Sequence, residues 1–230
     1  MKLLRQLIEA LVLEGKFEHE VTQVSRKIID TLKLRISKNG GYVRAFKFKV
    51  PAPDNVEAKS INVSVKRGKV EDIPTVSGDY TYDMDFQELD KNKINIYIEV
   101  PRSWEDFTTV LTHMSVILPS IKEILRHEFE HSREPAEELR RNSSYDPTKL
   151  DGVIRSYLDP AEVRAYVSGM YKHAKTAKKP LIDILTSRQV DIIAELKRAG
   201  ANEDEAQLIV QTILDAWIAY VQKRFPSAQL

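Results

Sequence analysis

The apolar positions of this chain change period twice. Leu3, Leu4, Leu7, Ile8, Leu11 and Val12 recur at helical spacing and predict a helix over residues 1–14. Val21, Val24, Ile28, Ile29, Leu32 and Ile36 predict a second helix over about 18–37, ended by Asn39-Gly40-Gly41. Alternation then takes over. Four segments carry it: Tyr42–Val50, Ser60–Val65 (Ile61, Val63, Val65), Tyr80–Phe86 (Tyr80, Tyr82, Met84, Phe86) and Ile94–Val100 (Ile94, Ile96, Ile98, Val100). Turn residues at Pro51–Asp54, Gly68, Pro74–Gly78 and Asp90–Asn92 separate them, so the reading is a small, mainly antiparallel sheet.

Helical spacing returns at Ser103. Ser103 and Asp106 form a capping box ahead of Trp104, Phe107, Val110, Leu111 and Met114, and Pro119 suits the first turn of the next helix. Residues 132–158 read as polar and irregular. Asp159-Pro160-Ala161-Glu162 opens a further helix, another begins near Pro180, and Asn202 caps a last long one reaching about Phe225. The order of helix, sheet and helices predicts an α+β fold. We expect one domain over 1–230, with N-terminal helices at 1–40, the sheet at 41–101, a helical segment at 102–175 and C-terminal helices at 176–230.

Composition narrows the classes. A chain of 230 residues with 42% hydrophobic content can build a real core. A net charge of +1 argues against a strongly basic nucleic-acid binder, and the clusters Lys66-Arg67-Gly68-Lys69 and Lys175 with Lys178-Lys179 read as solvated lysines. The absence of cysteine excludes disulfides, thiolate ligands and a Cys nucleophile. Lys2, Arg5, Glu9 and Glu14 interrupt the first apolar stretch, unlike a signal-peptide core, and no apolar run is long enough to span a membrane. The expectation is a cytoplasmic protein with no nucleic-acid and no membrane partner.

The chemistry concentrates at His127-Glu128-Phe129-Glu130-His131, which reads H-E-x-x-H within a helical stretch. Two His residues four apart share one helix face, so both imidazoles can reach one Zn²⁺, and Glu128 can deprotonate a water held there. At about 100° per residue, His131 falls about 40° and Glu128 about 100° from His127, with Ile124 between them at about 60°. Arg126, Glu130 and Glu123 cluster on the opposite side, where the reading is a surface salt bridge. The same five residues also fit the inverted H-x-x-E-H pattern with Glu130 as base, but Glu128, beside the apolar arc, is the better one.

A catalytic zinc takes three protein ligands and a water. Glu134 and Glu137 stand where a metzincin would have Gly and His, which excludes that branch. A carboxylate from a second helix remains. Glu162 shares a stripe with Tyr166, Gly169 and His173, and the small Ala165 and Gly169 would allow close helix approach. Glu162 is equally well placed to complete a capping box with Asp159. Glu137, Glu138, Asp146 and Asp151 are alternative third ligands.

With His127, Glu128 and His131 followed by Glu162 and Ala165 in an E-x-x-A context, the chain resembles the gluzincin metallopeptidases. The order of helix, sheet and active-site helix also looks like the zincin layout, over about residues 20–175. The resemblance implies Zn²⁺ held by His127, His131 and Glu162, with Glu128 as general base and later as proton donor to the leaving amine. It also implies a Tyr or His on the oxyanion, for which Tyr157 is the first choice beside Tyr145, Tyr166 and His173. No N-A-x-x-Y or G-A-M-E-N motif occurs, so the thermolysin-like and aminopeptidase subgroups are not supported. The substrate expected is a peptide or protein. The rival is a non-catalytic interaction or structural protein on a zincin-like scaffold. His113 and His19 lack metal-spaced partners, and His113 reads as a hydrogen-bonded structural residue. Leu208, Ile209, Ile213, Leu214, Trp217, Ile218 and Val221 line the last helix, ordinarily as core and alternatively as a face for a protein partner.

Overall fold

The computed structural model describes residues 2–38, 45–54, 56, 58–68, 74–81, 92–102, 108–132, 145–146, 148–225 and 228, with side chains of the first helix described from residue 17. The chain divides into two compact units, Met1–Ser132 and Arg133–Leu230, each with its own hydrophobic core. The boundary falls within the 102–175 segment that the sequence reading kept together.

The first unit opens with α1 (Lys2–Lys38), one continuous helix where two were expected. Gly15 does not break it: a glycine costs a helix interior only about 1 kcal/mol. The expected stripe of Val21, Val24, Ile28, Ile29, Leu32 and Ile36 is buried, and Phe17 extends it by one turn.

Four strands follow among the described residues: β1 (Phe46–Pro51), β2 (Ser60–Arg67), β3 (Thr75–Thr81) and β4 (Lys93–Val100). Their spatial order is β1-β2-β4-β3. The outer pairs are antiparallel, and the central β2–β4 pair is parallel with Ile61 opposite Ile94 and Val63 opposite Ile96. The alternation matches β1, β2 and β4, where Phe48, Val50, Ile61, Val63, Val65, Ile94, Ile96, Ile98 and Val100 are all buried. Tyr42 and Arg44 lie outside the described residues.

β3 differs from expectation. Thr75 to Gly78, expected in a turn, are strand residues, pairing with Glu99, Ile98, Tyr97 and Ile96 in that order. Tyr82, Met84 and Phe86, the rest of the expected strand, lie outside the described residues. Gly78 is there for packing: a Cβ would overlap Ile124 Cγ2 and come within 2.9 Å of the Asn95 carbonyl oxygen. In a strand interior glycine marks such a close approach as readily as a turn.

Short α2 (Thr108–Thr112) leads through His113 into α3 (Met114–His131), so the helix carrying the His pair begins five residues before Pro119. Pro119 is therefore a buried interior residue, leaving Ser115 without its helical N–H partner, and not a first-turn proline. His113 Nδ1 lies 2.9 Å from the Thr109 carbonyl oxygen, the structural bonding expected of it. Ser103, Trp104, Asp106 and Phe107 lie outside the described residues. α1 and α3 pack on each other and cover the apolar face of the sheet, α3 against the β3 edge and α1 toward β1.

The second unit is helical among its described residues: α4 (Leu150–Leu158), α5 (Pro160–Ala177), α6 (Leu181–Arg198) and α7 (Glu203–Arg224). α4 was missed in a stretch read as irregular, because nine residues give too few turns for periodicity to register. The starts of the later helices match expectation. Asp159 accepts a hydrogen bond from Ala161 N ahead of Pro160, and Asn202 Oδ1 accepts one from Glu205 N at 2.9 Å. Ile213, Leu214, Trp217 and Val221 are buried in this unit's core, while Leu208 is 71% exposed. Among the described residues no helix is long and apolar enough to cross a membrane.

Candidate metal centre

α3 presents two faces with opposite tasks. On one, the i, i+4 spacing brings His127 Nε2 and His131 Nε2 to 2.9 Å, with their rings edge to face at a centroid distance of 4.6 Å. The ligand atoms of His127, Glu128 and His131 all lie within 4.8 Å of one another. At 2.9 Å the two nitrogens are at hydrogen-bond distance from each other, closer than the about 3.3 Å that separates two nitrogens bound to one tetrahedral zinc at about 2.05 Å. Glu128 is 5% and His131 8% exposed. The His pair also sits at the C-terminal end of α3, the negative end of the helix dipole, which favours a bound cation.

The other face is clamped by α1. Arg126 forms an ion pair with Glu130, and its Nε lies 3.8 Å from Glu18. Its guanidinium carbon stands 5.2 Å from the centroid of Phe17, whose ring packs against Phe129 at 6.2 Å. The expected salt bridge is present, but it is not on the surface: Arg126 is 5% and Glu130 9% exposed, and Glu123 is buried as well. The charged arc faces the long first helix rather than solvent. The two variable residues of the motif, Phe129 and Glu130, are thereby anchoring residues, while His127, Glu128 and His131 converge. Sequence reasoning missed this clamp. The continuation of the α1 stripe to Phe17 was its one available signal.

Glu162 belongs to the second unit, half-buried in the first turn of α5. The capping-box reading required its carboxylate to accept from the Asp159 N–H. That N–H instead donates to the Arg155 carbonyl oxygen at 2.8 Å, because α4 runs up to Leu158. The Asp159 side chain caps the helix, its Oδ1 accepting from Ala161 N at 2.9 Å. The alternative ligands Glu137 and Glu138 lie outside the described residues. Asp146 accepts from the Thr148 amide and hydroxyl, bonds that hold its carboxyl below the usual range, and Asp151 pairs with Arg155.

Tyr157 lies in the core of the second unit. Its hydroxyl donates to Glu195 Oε2 at 2.6 Å, and its carbonyl oxygen accepts from Trp217 Nε1 at 3.2 Å. Burial, with added effects from Tyr166 and Glu195, pushes its pKa well above the ordinary tyrosine value, so the hydroxyl keeps its proton. Tyr145 donates to Asp159 Oδ2 at 3.0 Å, and Tyr166 stacks on Trp217.

No protein-family model matches the chain, and no curated protein or solved structure matches it either.

Proposed function

We propose that the chain is a zinc-dependent metallopeptidase of the gluzincin type, on a zincin-like α+β scaffold. The observation that carries this reading is the convergence of His127 Nε2, His131 Nε2 and the Glu128 carboxylate on one largely buried helix face. His127 and His131 would hold the ion, with Glu162 as the third ligand. When bound, zinc would polarise the scissile carbonyl and lower the pKa of the attacking water.

Glu128 would accept a proton from the attacking water and return it to the leaving amine. Glu130 has no such role, because its carboxylate neutralises the buried Arg126. Tyr157 is retained as the oxyanion donor.

The experiment is zinc content of the purified protein together with hydrolysis of an unstructured protein substrate, read by mass spectrometry. The expected result is about one zinc per chain and cleaved peptides. A chain that takes up no zinc when it is supplied, and cleaves nothing, is the interaction or structural protein instead.

A further inference from the structure

Glycine at position 78 has a consequence for the site one helical turn away. Ile124 precedes His127 by three residues, Glu128 by four and His131 by seven, so all four share one face of α3. That face meets the edge strand β3 at Gly78, where the absent side chain admits the Ile124 Cγ2 methyl. The methyl cannot swing aside, since it rides on Cβ and a β-branched residue in a helix has one strongly preferred χ1. The strand cannot yield freely either. Gly78 pairs with Ile96, and the neighbouring Asn95 carbonyl oxygen stands 2.9 Å from where a Cβ would be. Any side chain at position 78 therefore pushes the metal-bearing face of α3 off the sheet.

We infer that Gly78 is a positioning residue: it sets the height of the His127–Glu128–His131 turn above β3, and so the geometry of metal binding. This rests on the metal reading above. Helix displacement leaves the two imidazoles in register with each other but moves both relative to any ligand that α3 does not supply.

The test is a cycle of Gly78→Ala, Ile124→Ala and the double variant in the full chain. Zn²⁺ affinity is measured by competition with a chromophoric chelator, coordination by the visible spectrum of the Co²⁺-loaded protein, and folding by far-ultraviolet circular dichroism. Gly78→Ala is expected to weaken zinc affinity about 10- to 100-fold, as loss of a supporting interaction around a metal does, and to alter the cobalt spectrum with helix content unchanged. Ile124→Ala alone stays within about twofold of the parent, and added to Gly78→Ala it recovers most of the loss, because the overlapping methyl is gone. Parent-like affinity and spectrum in Gly78→Ala overturn the inference while the metal reading stands. A double variant as weak as Gly78→Ala also overturns it, since the loss then comes from the strand. If Gly78→Ala does not fold, the double variant decides: it supports the inference by folding and binding zinc like Ile124→Ala, and overturns it by failing to fold. A parent chain that binds no zinc removes the metal reading and this inference together.

Discussion

Glu128 and Glu130 sit two residues apart on one helix, yet their carboxylates answer to different partners. Glu128 lies with the imidazoles, and Glu130 lies against Arg126 under α1. Glu128→Gln should therefore retain zinc and lose about 10²–10⁴ in hydrolysis rate, measured on the same unstructured substrate. Glu130→Gln should leave that rate near the parent's. Its cost appears in stability instead: Arg126 keeps a weaker partner in a buried site, and thermal unfolding should report a loss of about 1–3 kcal/mol. A dead Glu130→Gln beside a live Glu128→Gln would make the site the inverted type. His127→Ala and His131→Ala should each abolish stoichiometric zinc, read by metal analysis after gel filtration. Undiminished zinc in both would remove the metal centre. The clustering of His127, Glu128 and His131 was legible in the sequence because spacing on a helix is local geometry. The burial of Glu130 was not, because the wheel shows which residues oppose the histidines but not what covers them.

At the scale of elements, the start of α5 offers a clean separation of cap from ligand. The Asp159 side chain accepts the Ala161 amide and the Asp159 N–H goes to the Arg155 carbonyl oxygen, two bonds at the helix start that do not use the Glu162 carboxylate. Glu162→Gln is expected to weaken zinc binding more than tenfold while the zinc-free protein melts as the parent does. Unchanged zinc affinity and activity would move the third ligand elsewhere, with Glu138→Gln as the next variant to measure. Tyr157→Phe removes a bond to a partly buried carboxylate and should cost about 1–3 kcal/mol of stability. If Tyr157 also serves the oxyanion, kcat falls about 10²-fold or more at unchanged zinc content, and an unchanged kcat makes it a core tyrosine only. These elements differ in how plainly they announced themselves. β1, β2 and β4 alternate cleanly because one sheet face is buried and the other wet. β3 did not, since Gly78 carries a packing signal that resembles a turn signal when its partner Ile124, far along the chain, is unknown.

For the whole molecule, two hydrophobic cores form, one around α1, the sheet and α3, the other around α4 to α7. A ligand that binds the folded protein raises its stability by mass action, about 2.7 kcal/mol at a hundred times its Kd. Zinc should accordingly raise the thermal midpoint by several degrees in calorimetry, and His127→Ala should abolish that rise. A midpoint indifferent to zinc in the parent would contradict the metal centre independently of any substrate. The sequence by itself determined the α+β order, three strands, the caps at Asp159 and Asn202 and the shared face of His127, Glu128 and His131. All of these depend on residues close in the chain, whose geometry is set by helix and strand periods. Tertiary structure alone decided the parallel pairing of β2 with β4, the glycine seat for Ile124 and the burial of Arg126 and Glu130 beneath α1. Each of these joins segments remote along the chain, and a local period carries no information about which distant surface will cover it.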